Sequence, residues 1–255
     1  MGTLDLHAAA AALAIARPHY ELRLARDAHD LRAAQALRFE VFNLELDEGL
    51  AQSYDNGLDA DPFDEACDHL LVFDGDQVVG TYRLQTGRRA AACHGYYSER
   101  EFDFRPFEPM RDSMLELGRA CIARGHRNFA VLNLLWKGIA SYAAERGVRH
   151  LVGCSSLTAT DDAVGAAAHR LLAAHAAPPA WRTLPQPGFA CRLDTPAAVA
   201  PPIPRLLAAY LSLGARLCGP PAVDREFRTI DFLTWLDLQS PALRRLQRRG
   251  RFVPV

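Results

Sequence analysis

An α/β fold, with a mixed sheet and helices on both faces, is predicted by three observations. Segments of strand-like alternation interleave with segments of helical period, in the order strand–helix–hairpin–strand–helix–strand–helix. Two strand segments flank Gly75-Asp76, a tight-turn pair that makes them a hairpin. Hydrophobic content of 49% with 23% charged residues suits a 255-residue chain that buries a full core.

The elements follow in order. Residues 1–19 form an Ala-rich helix or loose arm ahead of the core. "YELRLARD" alternates as a strand, with Leu22 and Leu24 on one face. "AHDLRAAQALRFEVFNLEL" carries apolar residues at Leu31, Ala34, Leu37, Val41 and Leu44, an amphipathic helix with Asp27 or Asp30 as its cap. Residues 47–66 are polar and rich in Gly and Asp, a long ordered loop, and loops of that length usually serve function. The hairpin "DHLLVFDGDQVVGTYRLQT" and a Pro- and charge-rich connection, 87–112, lead to the strand "SMLELGRACIA". After "RGHRN" comes the helix "FAVLNLLWKGIASYAAER", ended by Gly147. "VRHLVGCSSL" is a strand and "TDDAVGAAAHRLLAAHAAP" a helix. "GFACRLD" reads as a strand, "PRLLAAYLSLGA" as a helix and "TIDFLTWLDL" as a last strand. The expected division is an arm (1–19), a core (20–185) and a C-terminal extension with a basic tail (186–255).

Charge is unevenly spread. Glu40 to Tyr82 holds twelve acidic residues and no Lys or Arg, so the remaining eighteen acids face all twenty-nine basic residues elsewhere. Such a block can attract a cation, or it can be a solvated acidic loop. The tail arginines 244, 245, 248, 249 and 251 can dock an acidic carrier protein or an anionic membrane surface, or form a soluble tail. No nucleic-acid-binding motif accompanies the charge. Six dispersed cysteines, without a C-x-x-C pair or zinc spacing, fit reduced thiols, a cytoplasmic location and no metal site. The apolar run at 8–16 is too short to span a bilayer and follows Asp5 rather than a basic segment, unlike a signal peptide.

Inside the strand "MLELGRACI", Glu116 and Arg119 stand in an apolar run. Burying them costs several kcal/mol unless they are paired or hydrogen-bonded, roughly 3–5 kcal/mol for a broken pair. Residues three apart on a regular strand face opposite sides, but a bulge at Gly118 can bring both to one site.

The element order, with a turn and helix straight after the central strand, resembles the GNAT acyltransferase fold. Arg38 and Phe42 in "LRFEVF", Asp61 and Asp64 in "DPFD", Arg83 in "GTYRL", and Glu116 with Arg119 in "ELGR" resemble, in order and spacing, the motifs of acyl-homoserine-lactone synthases. "CDHLLV", "VVGTYRL", "GYYSEREFDF", "ELGRACI", "LLWKGIASYA" and the C-terminal "PPIPRLLAAYLSLGARLCGPPAVDREFRTIDFLTWLDL" are more similar to the hemolysin-like N-acyltransferases. That group includes enzymes that acylate the α-amine of ornithine to make lyso-ornithine lipid. The resemblance covers roughly residues 20–240. It implies a 3-hydroxyacyl group taken from acyl carrier protein, with no bound cofactor. The position of the usual Gly-rich pyrophosphate loop reads "ARGHRNF", which fits the single phosphate of a phosphopantetheine arm better than coenzyme A.

With that chemistry, Glu116 becomes the candidate base, directly or through water, with Arg119 beside it as a second catalytic residue. Arg38, Phe42, Asp61, Asp64, Asp68 and Arg83 become candidates for binding the amino acid, whose amines want carboxylates and whose carboxylate wants an arginine. The same residues can instead form one structural salt-bridge network. His126, Arg127 and Asn128, opening the helix, become candidates for the phosphopantetheine phosphate, with solvent exposure as the competing reading. His69 reads as a satisfied strand histidine, and Cys154 as buried strand. Other outcomes of the same resemblance are a long-chain N-acyl amino acid synthase, a lactone-type synthase, or a non-catalytic module that associates with membranes.

Overall fold

Residues 19–196, 198–199 and 201–248 are described by the computed structural model. Residues 1–18 of the expected N-terminal arm (1–19) and the end of the basic tail, including Arg249 and Arg251, lie outside them. β1 (Tyr20–Leu24) pairs antiparallel with β2 (Asp68–Asp74), which pairs antiparallel with β3 (Gln77–Thr86). The turn between β2 and β3 is the anticipated Gly75-Asp76, with Gly75 at φ +59°, a left-handed conformation that glycine adopts without a Cβ penalty.

Alternation along the hairpin sorts its side chains by face. Leu70 and Val72 meet the helix α3 (Phe129–Glu145), so closely that a Cβ on Gly138 of that helix would strike Leu70. His69 and its cross-strand partner Arg83 face the opposite way, toward the acidic loop. The first helix, α1 (Ala28–Phe39), starts at Asp27, whose carboxylate accepts the Asp30 N–H. Asp30 itself is held by Arg23, which lowers its carboxyl pKa to about 2. The helix then widens into a π-helical turn at Glu40–Glu45. This added residue rotates the end of the apolar stripe. Val41 and Phe42 turn inward, while Leu44, expected in the core, is 61% exposed.

After β3 come the short helix α2 (Gly87–Ala92) and 3₁₀ turns at Tyr97–Arg100 and Arg105–Ser113. They lead into β4 (Met114–Ile122), antiparallel to β3. Helix α3 is capped by the Asn128 side chain and ends before Gly147 at φ +66°. β5 (His150–Leu157) follows, then α4 (Asp162–Leu171). "GFACRLD" is not a strand: it makes a single isolated bridge, Ala190 to Ala222. Its neighbour β7 (Ala222–Asp224) is only three residues long and offers no ladder to extend. The C-terminal segment supplies α5 (Arg205–Ser212), β6 (Arg216–Leu217), β7 and β8 (Thr229–Asp237), then α6 (Pro241–Arg248). β8 lies antiparallel to β5, so residues from the expected extension complete the same eight-stranded sheet, in the order β1-β2-β3-β4-β5-β8-β6 with β7 also on β8.

The parallel pairing of β4 with β5 positions the site. β4 and β5 pair only through Met114–Glu116 and His150–Val152, and then separate. At the point of parting, the backbones are so close that a Cβ on Gly153 would lie 2.2 Å from the Leu117 carbonyl oxygen. Gly153→Ala is therefore expected to destabilise the fold by roughly 3 kcal/mol, the upper end of overpacking costs. Gly118→Ala, whose Cβ would find only Arg83 Nε at 3.9 Å, should be near neutral in the same denaturant titration. Equal losses at the two glycines would contradict this close approach.

Candidate active site

A β-bulge carries Arg119 to the same side of the sheet as Glu116. In the β3–β4 register Arg83 opposes Gly118 and Thr81 opposes Cys121, so Arg119 and Ala120 together face Tyr82 alone. The bulge falls on Arg119 and Ala120, one residue beyond the Gly118 expected to host it, and the left-handed backbone is that of Arg119 (φ 48°). A non-glycine residue in that region is held there by its surroundings.

Those surroundings are a buried network of three arginines and three aspartates. Arg38 donates from Nε to Asp59 Oδ2 (2.9 Å) and from Nη1 and Nη2 to Asp64 (3.0 and 2.6 Å). Its Nη2 also reaches the Asp59 carbonyl. Arg83 Nη1 donates to Asp61 (2.6 Å) and Asp64 (3.0 Å). Arg119 Nη2 donates to Asp61 Oδ2 (3.0 Å), and its Nε lies 3.2 Å from Asp59 Oδ2. Gln35 donates to Asp64 Oδ2, and His69 Nε2–H donates to the Asp64 carbonyl, which fixes that ring as a structural donor. Arg38 is fully buried, and the charges balance three against three.

Burial pushes the Asp64 carboxyl up, but Arg38 and Arg83 pull it down further, to well below the usual carboxylate range. Asp61 is likewise lowered against its burial, by Arg83 and Arg119. Asp61 and Asp64 thus hold the arginines, and the Asp61 carboxylate also accepts the Phe63 N–H and caps the turn that follows. Asp59, the third carboxylate, was not singled out from the sequence.

Asp68 does not join this cluster. Strand alternation sends it to the other face, where it accepts from Arg89 and from the Tyr142 hydroxyl at 2.6 Å each. His126, Arg127 and Asn128 also have protein partners. His126 Nδ1 and Asn128 Nδ2 meet the Tyr20 hydroxyl, and Arg127 pairs with Glu45 and donates to the Ile122 carbonyl. None of the three lines the cavity described next.

Glu116 is 5% exposed and already engaged. Its Oε2 accepts the Tyr97 N–H (2.8 Å), and its Oε1 accepts the Ser98 N–H (2.8 Å) and hydroxyl (2.5 Å). Burial raises its pKa, and the Ser98 and Tyr97 hydrogen bonds partly oppose the rise. The carboxylate therefore pins the 97–98 turn over the site. The Tyr97 ring is stacked in turn under the Arg119 guanidinium (4.7 Å), whose other face covers Phe227 (4.5 Å). Phe42 packs edge-on to Phe227.

A cavity of about 330 Å³ runs through the parting of β4 and β5. One part is apolar, formed by Tyr82, Trp136, Leu206, Leu207 and Tyr210, with the Tyr82 and Tyr210 hydroxyls bonded to one another. The other part is polar and acidic, formed by Glu48, Tyr97, Glu116, Cys154, Asp224 and Asp231. Glu48, Asp224, Asp231 and the adjoining Glu101 escaped the sequence reading. Asp231 had a signal: in "TIDFLTW" it alternates with Leu233 and Trp235, an acid on a core-facing register. Cys154 borders the cavity, but burial, with Glu101 and Asp231 adding to it, drives its thiol pKa far above normal and leaves a poor nucleophile.

Residues 37–137 match the family model described as an acetyltransferase (GNAT) domain. The chain is 35% identical over 243 residues to an L-ornithine N(alpha)-acyltransferase from Rhodobacter capsulatus, covering 89% of this chain and 93% of that protein. It is 32% identical over 248 residues to one from Agrobacterium fabrum, covering 90% and 85%. Among solved structures it superimposes on the acyl-homoserine-lactone synthase LasI with TM-score 0.51 at 14% identity, covering 93% of this chain and 98% of that one. It superimposes on FeeM, an N-acyl amino acid synthase from uncultured soil microbes, with TM-score 0.53 at 11% identity, covering 89% and 98%. These two share the fold. The identity along nearly the whole length goes further, and the chain belongs to the L-ornithine Nα-acyltransferase family of GNAT-fold acyltransferases.

Proposed function

We propose that the protein transfers a 3-hydroxy fatty acyl group from acyl carrier protein to the α-amine of ornithine, giving lyso-ornithine lipid. The observation that carries this is the two-part cavity at the β4–β5 parting: an apolar half for a chain, an acidic half for an amine, and a junction at Glu116 and the bulge. The names of the relatives supply the acceptor, L-ornithine.

The reaction forms one C–N bond and breaks one C–S bond. The α-ammonium must first lose a proton, for which we assign Glu116, directly or through a water; its burial-raised pKa suits a proton acceptor. The free amine attacks the thioester carbonyl, and the oxyanion is assigned to backbone N–H groups that β4 leaves unpaired where it parts from β5. Collapse breaks the C–S bond and expels the phosphopantetheine thiolate, which takes up the second proton, the one shed by the attacking nitrogen. Arg119 acts by position, clamping Tyr97 and Phe227 across the acidic half. The shielded Cys154 thiol supports direct transfer within a ternary complex rather than an acyl-enzyme.

Thiol release from 3-hydroxypalmitoyl carrier protein, with ornithine, lysine, glycine or no amine, tests this reading. Ornithine-dependent release is expected; amine-independent release, or preference for glycine, would overturn the acceptor. The chain half is tested separately by Leu206→Trp, at a partly exposed wall position. That change should cut transfer of the palmitoyl-length donor about 10-fold relative to a 3-hydroxydecanoyl donor, since a few lost methylene contacts are each worth about 0.8 kcal/mol. An unchanged length profile would place the chain elsewhere.

A further inference from the structure

Beyond Glu116, the acidic half of the cavity holds a second, unassigned pair of carboxyls. Asp231 on β8 lines the cavity at 3% exposure, and Glu101 lies against it at 1%. Carboxylate oxygens of the two, with the Cys154 thiol, lie within 4.8 Å of one another. Among the described residues Asp231 Oδ1 and Glu101 Oε1 are buried with no hydrogen-bond partner.

Among the described residues no cation answers them. Arg38, Arg83 and Arg119 are matched by Asp59, Asp61 and Asp64, and Arg100 pairs with Glu226. The groups facing the pair are neutral or acidic. Thr229 donates to Asp231 Oδ2, the Ser156 side chain also hydrogen-bonds the Asp231 carboxylate, and Glu101 lies against it. Cys154 Sγ lies 3.8 Å from Glu101 Oε2. Asp224, capped by the N–H groups of Glu226 and Phe227 and by the Tyr97 hydroxyl, adds a further negative charge. Two apposed buried acids without a counter-ion destabilise a fold, and they fit a ligand that brings the missing positive charge.

We propose that Glu101 and Asp231 form the subsite for the acceptor's side-chain ammonium, the amine that is not acylated, and so set the preference for diamino acids. The inference rests on the acyl-transfer reading above. A path of short contacts joins the pair to the reacting centre: Glu116 Oε1 to Ser98 Oγ (2.5 Å), Ser98 Oγ to Cys154 Sγ (3.4 Å), and Cys154 Sγ to Glu101 Oε2 (3.8 Å). Two ammonium groups of one small amino acid, one at Glu116 and one at the pair, therefore bridge adjacent acidic positions in a single cavity. Burial, with the neighbouring acids adding to it, raises both carboxyls above the usual carboxylate range in the free protein. An ammonium is favoured over a hard divalent metal ion, which wants more oxygen ligands than the two carboxyls supply.

The test compares kcat/KM for L-ornithine with that for L-norvaline, which lacks only the distal amine, using full-length wild type, Asp231→Asn and Glu101→Gln with the same acyl carrier protein donor. Wild type should prefer ornithine, and each variant should lower the ornithine-to-norvaline ratio about 100-fold, chiefly through KM for ornithine, as expected when a buried charge partner is removed. Relief of like-charge burial should leave the melting temperature of the ligand-free variants level or higher, so loss of preference is not loss of fold. A wild-type ratio retained in both variants would overturn the subsite, as would a stoichiometric metal ion in the purified protein that Asp231→Asn removes. Failure of the acyl-transfer reading is seen separately, as wild type that transfers to neither amino acid.

Discussion

Asp64→Asn is expected to cost about 3–5 kcal/mol of folding stability, the range for removing one member of a buried ion network. Asp64 is the acceptor that joins the network. Its Oδ1 takes Arg38 and Arg83, and its Oδ2 takes Arg38 and Gln35. The amide would leave three buried guanidinium groups against only two carboxylates, and would turn an N–H toward one of them. The pH dependence follows from the sign of the shift. The folded carboxyl is depressed below its unfolded value, so its stabilisation is full above the ordinary Asp range, near pH 4, and is lost as pH falls toward the depressed folded pKa. Wild type should therefore lose stability steeply below about pH 4, and Asp64→Asn should show a shallower fall from a lower plateau. Urea titrations at several pH values check this; a neutral substitution, or parallel acid limbs in both proteins, would contradict the network.

Glu116→Gln is expected to lower kcat about 10²–10⁴-fold, the range for losing a positioned base. The residue also has a structural task, since its carboxylate holds the Tyr97 and Ser98 amides and the Ser98 hydroxyl. Glutamine keeps one acceptor oxygen but presents an NH₂ group to donors. Some of the loss would then be disorder of the turn. Ser98→Ala separates the two effects: it deletes one hydrogen bond to Glu116 but leaves both amide donors and the carboxylate. A modest decrease in Ser98→Ala, of about 10-fold or less, beside a large one in Glu116→Gln assigns the proton-accepting role to the carboxylate. Equal decreases would assign Glu116 to holding the turn alone.

The fold was largely legible because its signals are local. Gly75-Asp76, the Asp27 cap, Gly147 and the strand periods each act within a few residues. Leu44 was misplaced because a widened turn inserts one residue into a helical period that the sequence shows as regular. The bulge was legible from the i, i+3 spacing of Glu116 and Arg119, but its left-handed residue was not, because Arg119 is held by contacts to a loop some sixty residues away.

The site was legible only in part, for a related reason. An acidic block bordered by Arg38 and Arg83 signals charge pairing, yet which carboxylate meets which arginine is set by tertiary packing. Asp68 and His69 are neighbours in sequence and lie on opposite faces of the sheet. Glu101 and Asp231 stand 130 positions apart in the chain, and only the placement of β8 beside β5 brings them together.

The central claim is acyl transfer to the α-nitrogen at the β4–β5 parting. Its most direct test is mass spectrometry of the product made by purified protein from 3-hydroxypalmitoyl carrier protein and ornithine, with the ornithine α-nitrogen isotopically labelled. The account predicts a single mono-acylated ornithine whose fragments carry the acyl chain on the labelled nitrogen. An acyl group on the side-chain nitrogen, or no acyl-ornithine while the donor is consumed, would contradict it.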